Sequence, residues 1–260
     1  MKEIISVTDI TGFMFCQRKI YLKRVLKLKE PPTQPMIKGM LKHKVFDIFN
    51  KNEIVIVSSI TNPISDSEIK HLYQENFTKI TQETFSNYRN MAESFGITYS
   101  EILQSILKIA RKEIELRIHS IQETIKKGYF GKELWRNLKP KYQTEFEVIS
   151  EELGLKGRID RVKFAEEIVP YEIKTREEIY ESDKLQLAAY SLLLESEFNK
   201  KINLGVVEVE NKQEEILISE ELKSKVLEIA DKIRNMKEAE FPSSFSKCEK
   251  CRLKQECFER

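Results

Sequence analysis

Two carboxylates and a lysine in the segment GRIDRVKFAEEIVPYEIKT have the spacing of a metal site on a β-hairpin. Asp160 alternates with apolar residues, which places it on the buried face of a strand, and Glu172 shares a face with Ile168. If Ala165-Glu166-Glu167 forms a three-residue loop, Asp160 lies opposite Glu172, with Cβ atoms roughly 4.5–5.5 Å apart. Two opposed carboxylates repel each other, so this register predicts Mg²⁺ or Mn²⁺ between them, since both ions prefer oxygen ligands.

Three further side chains are candidates for the same site. Lys174 lies one step along the face of Glu172 and can hold a phosphate or an attacking water beside the cation. His43, in the sequence GMLKHKVFD, is a candidate ligand, although a lone histidine usually has no special role. Gln186 and Tyr190 are one helical turn apart, which suits contacts to a nucleic-acid backbone. The alternatives are an exposed hairpin with alternating charge, a capping box formed by Asp183 with Gln186, and an ordinary core position for Tyr190.

The four cysteines form a second candidate metal site. Cys248, Cys251 and Cys257 follow a C-x₂-C-x₅-C pattern, and Cys16 lies near the other end of the sequence. Closely spaced thiols of this kind indicate metal ligands, and four thiolates suit either a tetrahedral Zn²⁺ or an iron–sulfur cluster. The spacing does not choose between these metals. The alternative is that Cys16 is a buried core thiol and that the other three are incidental.

The elements that must position these residues are predicted from hydrophobic periodicity. Period-two alternation predicts strands over 142–149, 155–164, 168–175, 202–210 and 214–218. Helical periodicity predicts helices over 182–198 and 220–236, so the C-terminal half has the order β-β-β-α-β-β-α, typical of a mixed sheet with helices against it. Upstream, the pattern predicts a short helix that is capped by Thr8 or Asp9 and runs through Tyr21. It also predicts a helix over 36–50, a strand-like piece at 54–57, and a helical block over 66–128.

Composition and charge exclude several classes of protein. Of the 260 residues, 33 % are charged and 40 % are apolar, which is enough apolar surface for a folded core. No apolar run approaches the ~20 residues that span a bilayer, and the first residues lack the pattern of a secretion signal. Residues 1–44 hold ten Lys and Arg against three Asp and Glu, a local charge of +7 in a chain of net charge +2. This basic lobe suits a polyanion, and a solvated charged surface is the alternative.

Four motifs, in this order, resemble those of RecB-type PD-(D/E)XK nucleases. They are G-x₃-H at Gly39–His43, G-R-I-D at Gly157–Asp160, E-I-K at Glu172–Lys174 and Q-L-A-A-Y at Gln186–Tyr190. A core of this type between one upstream and three downstream cysteines resembles the iron–sulfur subgroup. Nuclease domains fused to helicases share the arrangement, but the sequence has no helicase motifs and therefore most resembles the CRISPR-associated "Cas-four" family of exonucleases.

The resemblance implies an α/β fold: a RecB-like PD-(D/E)XK nuclease core with a mixed central sheet flanked by helices, a helical insertion, and a cysteine-ligated iron–sulfur staple. The predicted segments are an N-terminal helical and basic lobe over 1–62, the helical insertion over 63–132, the nuclease core over 133–240 and the iron–sulfur tail over 241–260. The lobe and tail are expected to meet, because Cys16 belongs with the cysteines of the tail.

The resemblance also implies roles for individual residues. Asp160, Glu172 and Lys174 are expected to be catalytic, and His43, Asp160, Glu172 and the carbonyl of Ile173 to bind Mg²⁺ or Mn²⁺. Cys16, Cys248, Cys251 and Cys257 are expected to bind an iron–sulfur cluster, with [4Fe–4S] favoured and [2Fe–2S] as the alternative. Gln186, Tyr190 and Arg158 are expected to contact nucleic acid.

The expected activity is a single-stranded DNA exonuclease with 5′→3′ polarity, which processes prespacer ends together with the CRISPR integrase complex. The expected location is the cytoplasm of a prokaryote, with no membrane partner. Two other functions stay open at this point. One is a non-catalytic DNA-end-binding scaffold of an adaptation complex, and the other is a zinc- or iron-stapled DNA-repair nuclease outside CRISPR.

Overall fold

The computed structural model describes residues 2–174, 176–209, 212–242, 248–249 and 251–259. The strands are β1 (Ile5–Ser6), β2 (Lys141–Ser150), β3 (Leu155–Phe164), β4 (Ile168–Ile173), β5 (Leu204–Glu208) and β6 (Gln213–Leu217). The helices are α1 (Val7–Phe15), α2 (Gln17–Arg24), α3 (Gln34–Ser58), α4 (Asp66–Asn87), α5 (Arg89–Ser94), α6 (Tyr99–Lys126), α7 (Gly131–Asn137), α8 (Glu181–Phe198), α9 (Glu220–Arg234) and α10 (Lys254–Phe258). Within this described part of the chain, no helix is both long and apolar enough to cross a bilayer.

The described strands form a six-stranded mixed sheet in the order β1-β3-β4-β5-β6, with β2 paired to β3 outside this path. β1 is parallel to β3 and β4 is parallel to β5, whereas β5 and β6 are antiparallel. Helix α8 packs against β4 and β5, and α9 packs against α8. The predicted α/β class, a mixed sheet flanked by helices, is confirmed.

The C-terminal half follows its predicted order of elements closely. β3 has the predicted bounds, and α8 begins one residue before the predicted position. Helix α8 is buried around most of its circumference, because it carries apolar residues on several faces rather than on one stripe. The predicted strand ends at 175 and 210 lie outside the described residues.

The chain divides into two compact units, each of which is described separately. Unit 1 consists of Met1–Pro31, Phe146–Val162 and Glu167–Arg260, and unit 2 consists of Pro32–Glu145 and Lys163–Glu166. The units cut across the predicted boundaries at 62 and 132, so the four-part division of the sequence stays a prediction. The helical character expected for 63–132 is found in unit 2, where α4, α5 and α6 cover most of this segment.

The strand predicted over 54–57 is wrong, because these residues belong to α3, which extends the predicted helix over 36–50 in both directions. Ile56 and Val57 are buried, whereas Ile54 and Val55 are exposed, which is the spacing of a helix with one packed face. β-Branched residues favour strands locally, but the packing of this face outweighs that preference. The short helix predicted to run through Tyr21 is in fact two helices, α1 and α2, with Cys16 in extended conformation between them.

Candidate active site

The neighbouring strands β3 and β4 are joined by a loop of the predicted length, since β3 ends at Phe164 and β4 begins at Ile168. Asp160 of β3 is half-buried, and its Oδ2 accepts a hydrogen bond of 2.7 Å from the backbone N–H of Ile173 in β4. Glu172 immediately precedes Ile173. The hydrogen bond therefore ties one candidate carboxylate to the strand that carries the other.

The Glu172 carboxylate is 3 % exposed. Burial raises the pKa of this carboxyl group, although the neighbouring Lys174 opposes the shift. Glu172 Oε1 contacts Nζ of Lys174, whereas Oε2 is buried and has no hydrogen-bond partner among the residues that the structure describes. A buried carboxylate oxygen without a partner is unfavourable, so Oε2 fits a cation that prefers oxygen ligands.

Three side-chain acceptors surround the ammonium group of Lys174. Its Nζ contacts Glu172 Oε1, lies 3.2 Å from Gln186 Oε1, and lies 3.6 Å from Asp183 Oδ1. The backbone N–H of Lys174 donates to the carbonyl of Glu208 at 2.8 Å, which holds the residue against the end of β5. The side chain is still 23 % exposed, so a fixed positive charge is available to a ligand.

Gln186 and Tyr190 of α8 connect this site to β3. Gln186 Nε2 donates to the Tyr190 hydroxyl at 2.7 Å, and that hydroxyl donates to the carbonyl of Arg158 at 2.7 Å. Burial, followed by the charges of Glu172 and Asp160, raises the pKa of Tyr190 well above its ordinary value. The Tyr190 hydroxyl also interacts with the Glu172 carboxylate, and this interaction lowers the pKa of Glu172 and raises that of Tyr190.

Gly157 of the G-R-I-D motif allows α1 and α8 to approach β3 closely. A Cβ atom at this position would lie 2.9 Å from Leu193, 2.9 Å from Val7, and 3.3 Å from the ring of Tyr190. A larger residue at this position would therefore require the Leu193 and Val7 side chains to shift. The first position of the motif thus has a packing reason that is independent of chemistry.

Asp183 is a site residue that the sequence analysis did not select. It is 1 % exposed, and both of its carboxylate oxygens lie 2.6 Å from Nη2 of Arg176. Oδ2 also accepts a hydrogen bond of 2.8 Å from the backbone N–H of Tyr180, at the start of α8. The capping-box position of Asp183 was the available sequence signal, and its interaction with Lys174 depends on tertiary structure.

Two other predicted site residues have different surroundings. The Arg158 side chain is 39 % exposed and its Nη2 lies 3.5 Å from Glu147 Oε1, so its contact with nucleic acid stays a prediction. His43 lies in α3 of unit 2, where its Nδ1 contacts Glu145 Oε2 of β2. Unit 1 thus brings Asp160, Glu172, Lys174, Gln186 and Tyr190 together, and the role of His43 as a metal ligand also stays a prediction.

The four cysteines line one cavity in unit 1, and all four thiols are free. Cys16 reaches the cavity from the break between α1 and α2, and Cys257 reaches it from α10. The apolar lining includes Phe15, Leu22 and Pro242. Burial raises the pKa of the Cys248 thiol, and the three other cysteines raise it further.

Four thiols that line one apolar cavity supply the type of ligand that a thiolate-bound metal group requires, because a bound cation would stabilise thiolate charges that otherwise repel each other. In the described residues, no group of three or more His, Cys, Asp or Glu side chains has the arrangement expected around one metal ion.

Contacts between the first and last segments of unit 1 lie near this cavity. Arg18 donates to the carbonyl of Ala239 at 2.8 Å, and its guanidinium lies 4.7 Å from the ring centroid of Phe241.

The chain belongs to the PD-(D/E)XK nuclease superfamily, whose family model matches residues 4–258. This match confirms the resemblance predicted from the motifs at the level of the superfamily. It supports a nuclease function and the use of a divalent metal.

One relative has a related description. Over 124 residues, the chain is 30 % identical to the "CRISPR-associated exonuclease Cas4/endonuclease Cas1 fusion" of Leptospira interrogans serogroup Icterohaemorrhagiae serovar Lai (strain 56601). The match covers 42 % of this chain and 23 % of that protein, so the chain spans less than a quarter of the relative's length. A solved structure described as "Crystal structure of SSO0001" is similar with a TM-score of 0.34 and 20 % identity, over 66 % of this chain and 77 % of that one.

Proposed function

We propose that this protein is a metal-dependent exonuclease that cleaves single-stranded DNA with 5′→3′ polarity. The observation that carries the proposal is the buried Oε2 of Glu172, which has no hydrogen-bond partner in the described part of the chain. It lies beside Lys174 and on the strand to which Asp160 is hydrogen-bonded. Membership of the PD-(D/E)XK nuclease superfamily supports phosphodiester cleavage as the reaction of such a site.

Asp160, Glu172, the carbonyl of Ile173 and His43 would bind the divalent ion, Mg²⁺ or Mn²⁺. When bound, such an ion polarises the scissile phosphate and lowers the pKa of a coordinated water. The backbone N–H of Ile173 fixes one oxygen of Asp160 and thereby orients the rest of this carboxylate. The protein supplies this orientation in advance, which reduces the reorganisation that catalysis requires.

Lys174 places a positive charge next to the reacting phosphate. Its contacts with Glu172, Gln186 and Asp183 restrict the ammonium group before substrate binds. A charge held in this way stabilises the negative charge that develops on the phosphate oxygens in the transition state. Gln186, Tyr190 and Arg158 contact the DNA backbone. Gln186 and Tyr190 also hold α8 against β3 through their hydrogen bonds.

Cys16, Cys248, Cys251 and Cys257 would bind the iron–sulfur cluster, with [4Fe–4S] favoured over [2Fe–2S] or Zn²⁺. The group would serve as a cross-link between the two ends of unit 1 rather than as a redox centre. Closing such a long stretch of chain removes conformational entropy from the unfolded state. The apolar lining of the cavity supports this role, because it limits access of solvent to the cysteines.

The biological setting is the processing of prespacer ends in CRISPR adaptation, with the integrase complex as partner, in the cytoplasm of a prokaryote. The support for this setting is the similarity to the Leptospira protein, whose description joins a Cas4 exonuclease to a Cas1 endonuclease. The basic segment 1–44 supports the binding of DNA through its phosphates.

The test is a cleavage assay with protein purified without oxygen. Single-stranded DNA labelled at either end is incubated with Mn²⁺, and a second pair of substrates carries a blocked 5′ or 3′ end. We expect degradation that stops when the 5′ end is blocked, a loss of cleavage in Glu172→Ala, and unchanged cleavage in Asp47→Asn, a substitution of an exposed carboxylate of α3. DNA binding without cleavage by the wild-type protein in Mg²⁺ and in Mn²⁺ would instead identify a scaffold. Cleavage blocked only at the 3′ end would overturn the polarity.

A further inference from the structure

Strand β2 has an unusual backbone at Glu145. The φ angle of this residue is 58°, in the left-handed region, although the residue carries a side chain. Non-glycine residues rarely adopt this conformation within a strand, so the surrounding structure must impose it. Local distortions of this kind redirect a side chain out of the regular alternation of a strand.

The side chain of Glu145 contacts His43. Glu145 Oε2 contacts His43 Nδ1, and both atoms are buried. Apart from this contact, neither atom has a polar partner among the residues that the structure describes. The His43 side chain is nevertheless 36 % exposed, so its accessible surface belongs to its other atoms.

The neighbouring residues fix both partners of this contact. Asn50, two helical turns after His43 in α3, donates from Nδ2 to the carbonyl of Thr144 and accepts the Thr144 N–H at 3.3 Å. Thr144 also donates through its hydroxyl to Glu113 at 3.1 Å. Thr144, the residue before Glu145, is therefore hydrogen-bonded to both α3 and α6. These bonds fix the backbone next to Glu145 and so keep its side chain close to His43.

We propose that Glu145 is a positioning residue for the metal ligand His43. Its carboxylate accepts the Nδ1–H of the imidazole and thereby leaves the lone pair of Nε2 free for a divalent cation. Histidines that bind metals usually donate their second ring N–H to a carboxylate or carbonyl group, which fixes the tautomer and the ring orientation. This inference rests on the proposed function, because it assumes that His43 is a ligand.

A second histidine–glutamate pair in unit 2 provides the matched control. His71 and Glu75 of α4 lie one turn apart, with Nε2 and Oε1 at 3.1 Å, and both side chains are more than 60 % exposed. This pair has an ordinary backbone and open solvent around it. It therefore has the same residue types as His43 and Glu145 without the burial or the left-handed backbone.

The experiment measures Mn²⁺ affinity at a fixed pH by the electron paramagnetic resonance signal of free Mn²⁺, together with the ¹⁵N shifts of the His43 ring. We expect Glu145→Ala to weaken Mn²⁺ binding by about 10–100-fold, the range for loss of a carboxylate behind a metal-bound histidine, and to mix the two tautomers. Glu145→Gln retains an acceptor and should recover most of the affinity. Glu75→Gln should leave both measurements unchanged.

Combination with His43→Ala separates positioning from general destabilisation. If Glu145 acts through His43, adding Glu145→Ala to His43→Ala causes no further loss of Mn²⁺ affinity. Additive losses would overturn the inference, as would wild-type affinity and an unchanged tautomer in folded Glu145→Ala. Wild-type affinity in His43→Ala would also overturn it, because the ring would then not be a ligand.

Failure of the proposed function gives a different pattern. A wild-type protein that binds Mn²⁺ but does not cleave DNA contradicts the exonuclease activity, while the affinity and tautomer measurements still support Glu145 as the residue that positions His43. Conversely, cleavage and metal binding that depend on His43 but not on Glu145 leave the exonuclease proposal intact and remove only this inference.

Discussion

Two groups of buried charge in this protein each combine acidic and basic side chains but differ in how fully the charges are neutralised. In unit 2, Arg117 donates from Nε to Glu53 at 2.8 Å and from Nη1 to Glu113 at 2.8 Å. Tyr73 donates to the same oxygen of Glu53 at 2.9 Å, and Thr144 donates to the same oxygen of Glu113 at 3.1 Å. In unit 1, by contrast, Glu172 Oε2 is buried without such a partner in the described residues.

The pKa directions express the same difference. Burial alone would lower the pKa of Arg117, but the attraction of Glu53 and Glu113 outweighs burial and raises it, so the ionised network is stable as it stands. At Glu172 burial dominates and raises the pKa, so the ionised carboxylate is disfavoured despite the nearby Lys174. A buried charge that its surroundings neutralise serves the fold, whereas one that is left incompletely neutralised is available for a ligand.

The largest expected effect is a loss of DNA cleavage when a carboxylate of the unit 1 site is replaced. Asp160→Asn removes the charge but keeps an oxygen that can accept the Ile173 N–H, so we expect stability to change by less than ~1 kcal/mol. Cleavage of single-stranded DNA in Mn²⁺ should fall about 10³-fold or more, because a charged ligand of the catalytic ion is lost. Single-turnover cleavage and urea unfolding measure the two effects. A variant that cleaves like the wild type would remove Asp160 from the site.

Replacing a residue of the neutralised Arg117 network should instead lower the free energy of unfolding. Arg117→Met leaves two buried carboxylates without their cation, which should cost about 3–5 kcal/mol in the free energy of unfolding, measured in urea. The triple variant Arg117→Met, Glu53→Gln, Glu113→Gln removes all three charges together and should recover much of this loss. A loss below ~1 kcal/mol in Arg117→Met would contradict the structural role that the comparison assigns to the network.

Lys174→Met is the counterpart of Arg117→Met in unit 1. We expect cleavage to fall about 10²–10³-fold, as is typical for loss of one group that stabilises transition-state charge. Stability should change by ~1 kcal/mol or less, because the Lys174 side chain is 23 % exposed and water screens its interaction with Glu172. If unfolding in urea shows a loss as large as that of Arg117→Met, Lys174 belongs to a structural network and the contrast between the units fails.

The smallest effect concerns the pH dependence of the metal-free protein. The folded-state pKa of Glu172 is above its ordinary value of 4.5, so the unfolded chain loses this proton first as the pH rises. The wild type therefore loses stability as the pH rises above about 4.5 and until it passes the raised pKa. Glu172→Gln avoids this loss and should unfold at a Tm higher by about 2–4 °C at neutral pH, equivalent to ~1 kcal/mol.

The control for this last measurement is the same comparison at pH 4, where both proteins are uncharged at position 172 and the difference should shrink. Excess Mn²⁺ at neutral pH should reverse the order, because the ion stabilises only a protein that binds it. If the wild type and Glu172→Gln have equal Tm values at both pH values, the burial of Glu172 does not destabilise its ionised form.

The parts of the site that were predictable from sequence are those with a local signal. Alternation along β3 and β4 predicts where Asp160 and Glu172 lie, and a one-turn spacing predicts that Gln186 and Tyr190 share a face of α8. The interactions of Asp183 and Glu145 were not predictable in this way. Asp183 has the sequence position of a cap, and Glu145 depends on a backbone conformation that no residue type signals.

The error at 54–57 has the same origin. A run of β-branched residues carries a local preference for strands, but Glu53 in the same stretch is buried by its interaction with Arg117, which is distant in the sequence. The helical conformation of this stretch is therefore determined by long-range packing. Local patterns identify elements when the elements bury one regular face, and they fail where a tertiary partner decides the conformation.

The division of the chain also implies an order of events during synthesis. Unit 2 is almost continuous in sequence, whereas unit 1 is assembled from both ends of the chain. Arg234 donates to the carbonyl of Glu3 at 3.0 Å, and Arg18 donates to that of Ala239, so unit 1 lacks these contacts until residues 234 and 239 have left the ribosome. We therefore expect the helical unit to form while translation is still in progress, and the nuclease sheet to be completed only after β6 has emerged.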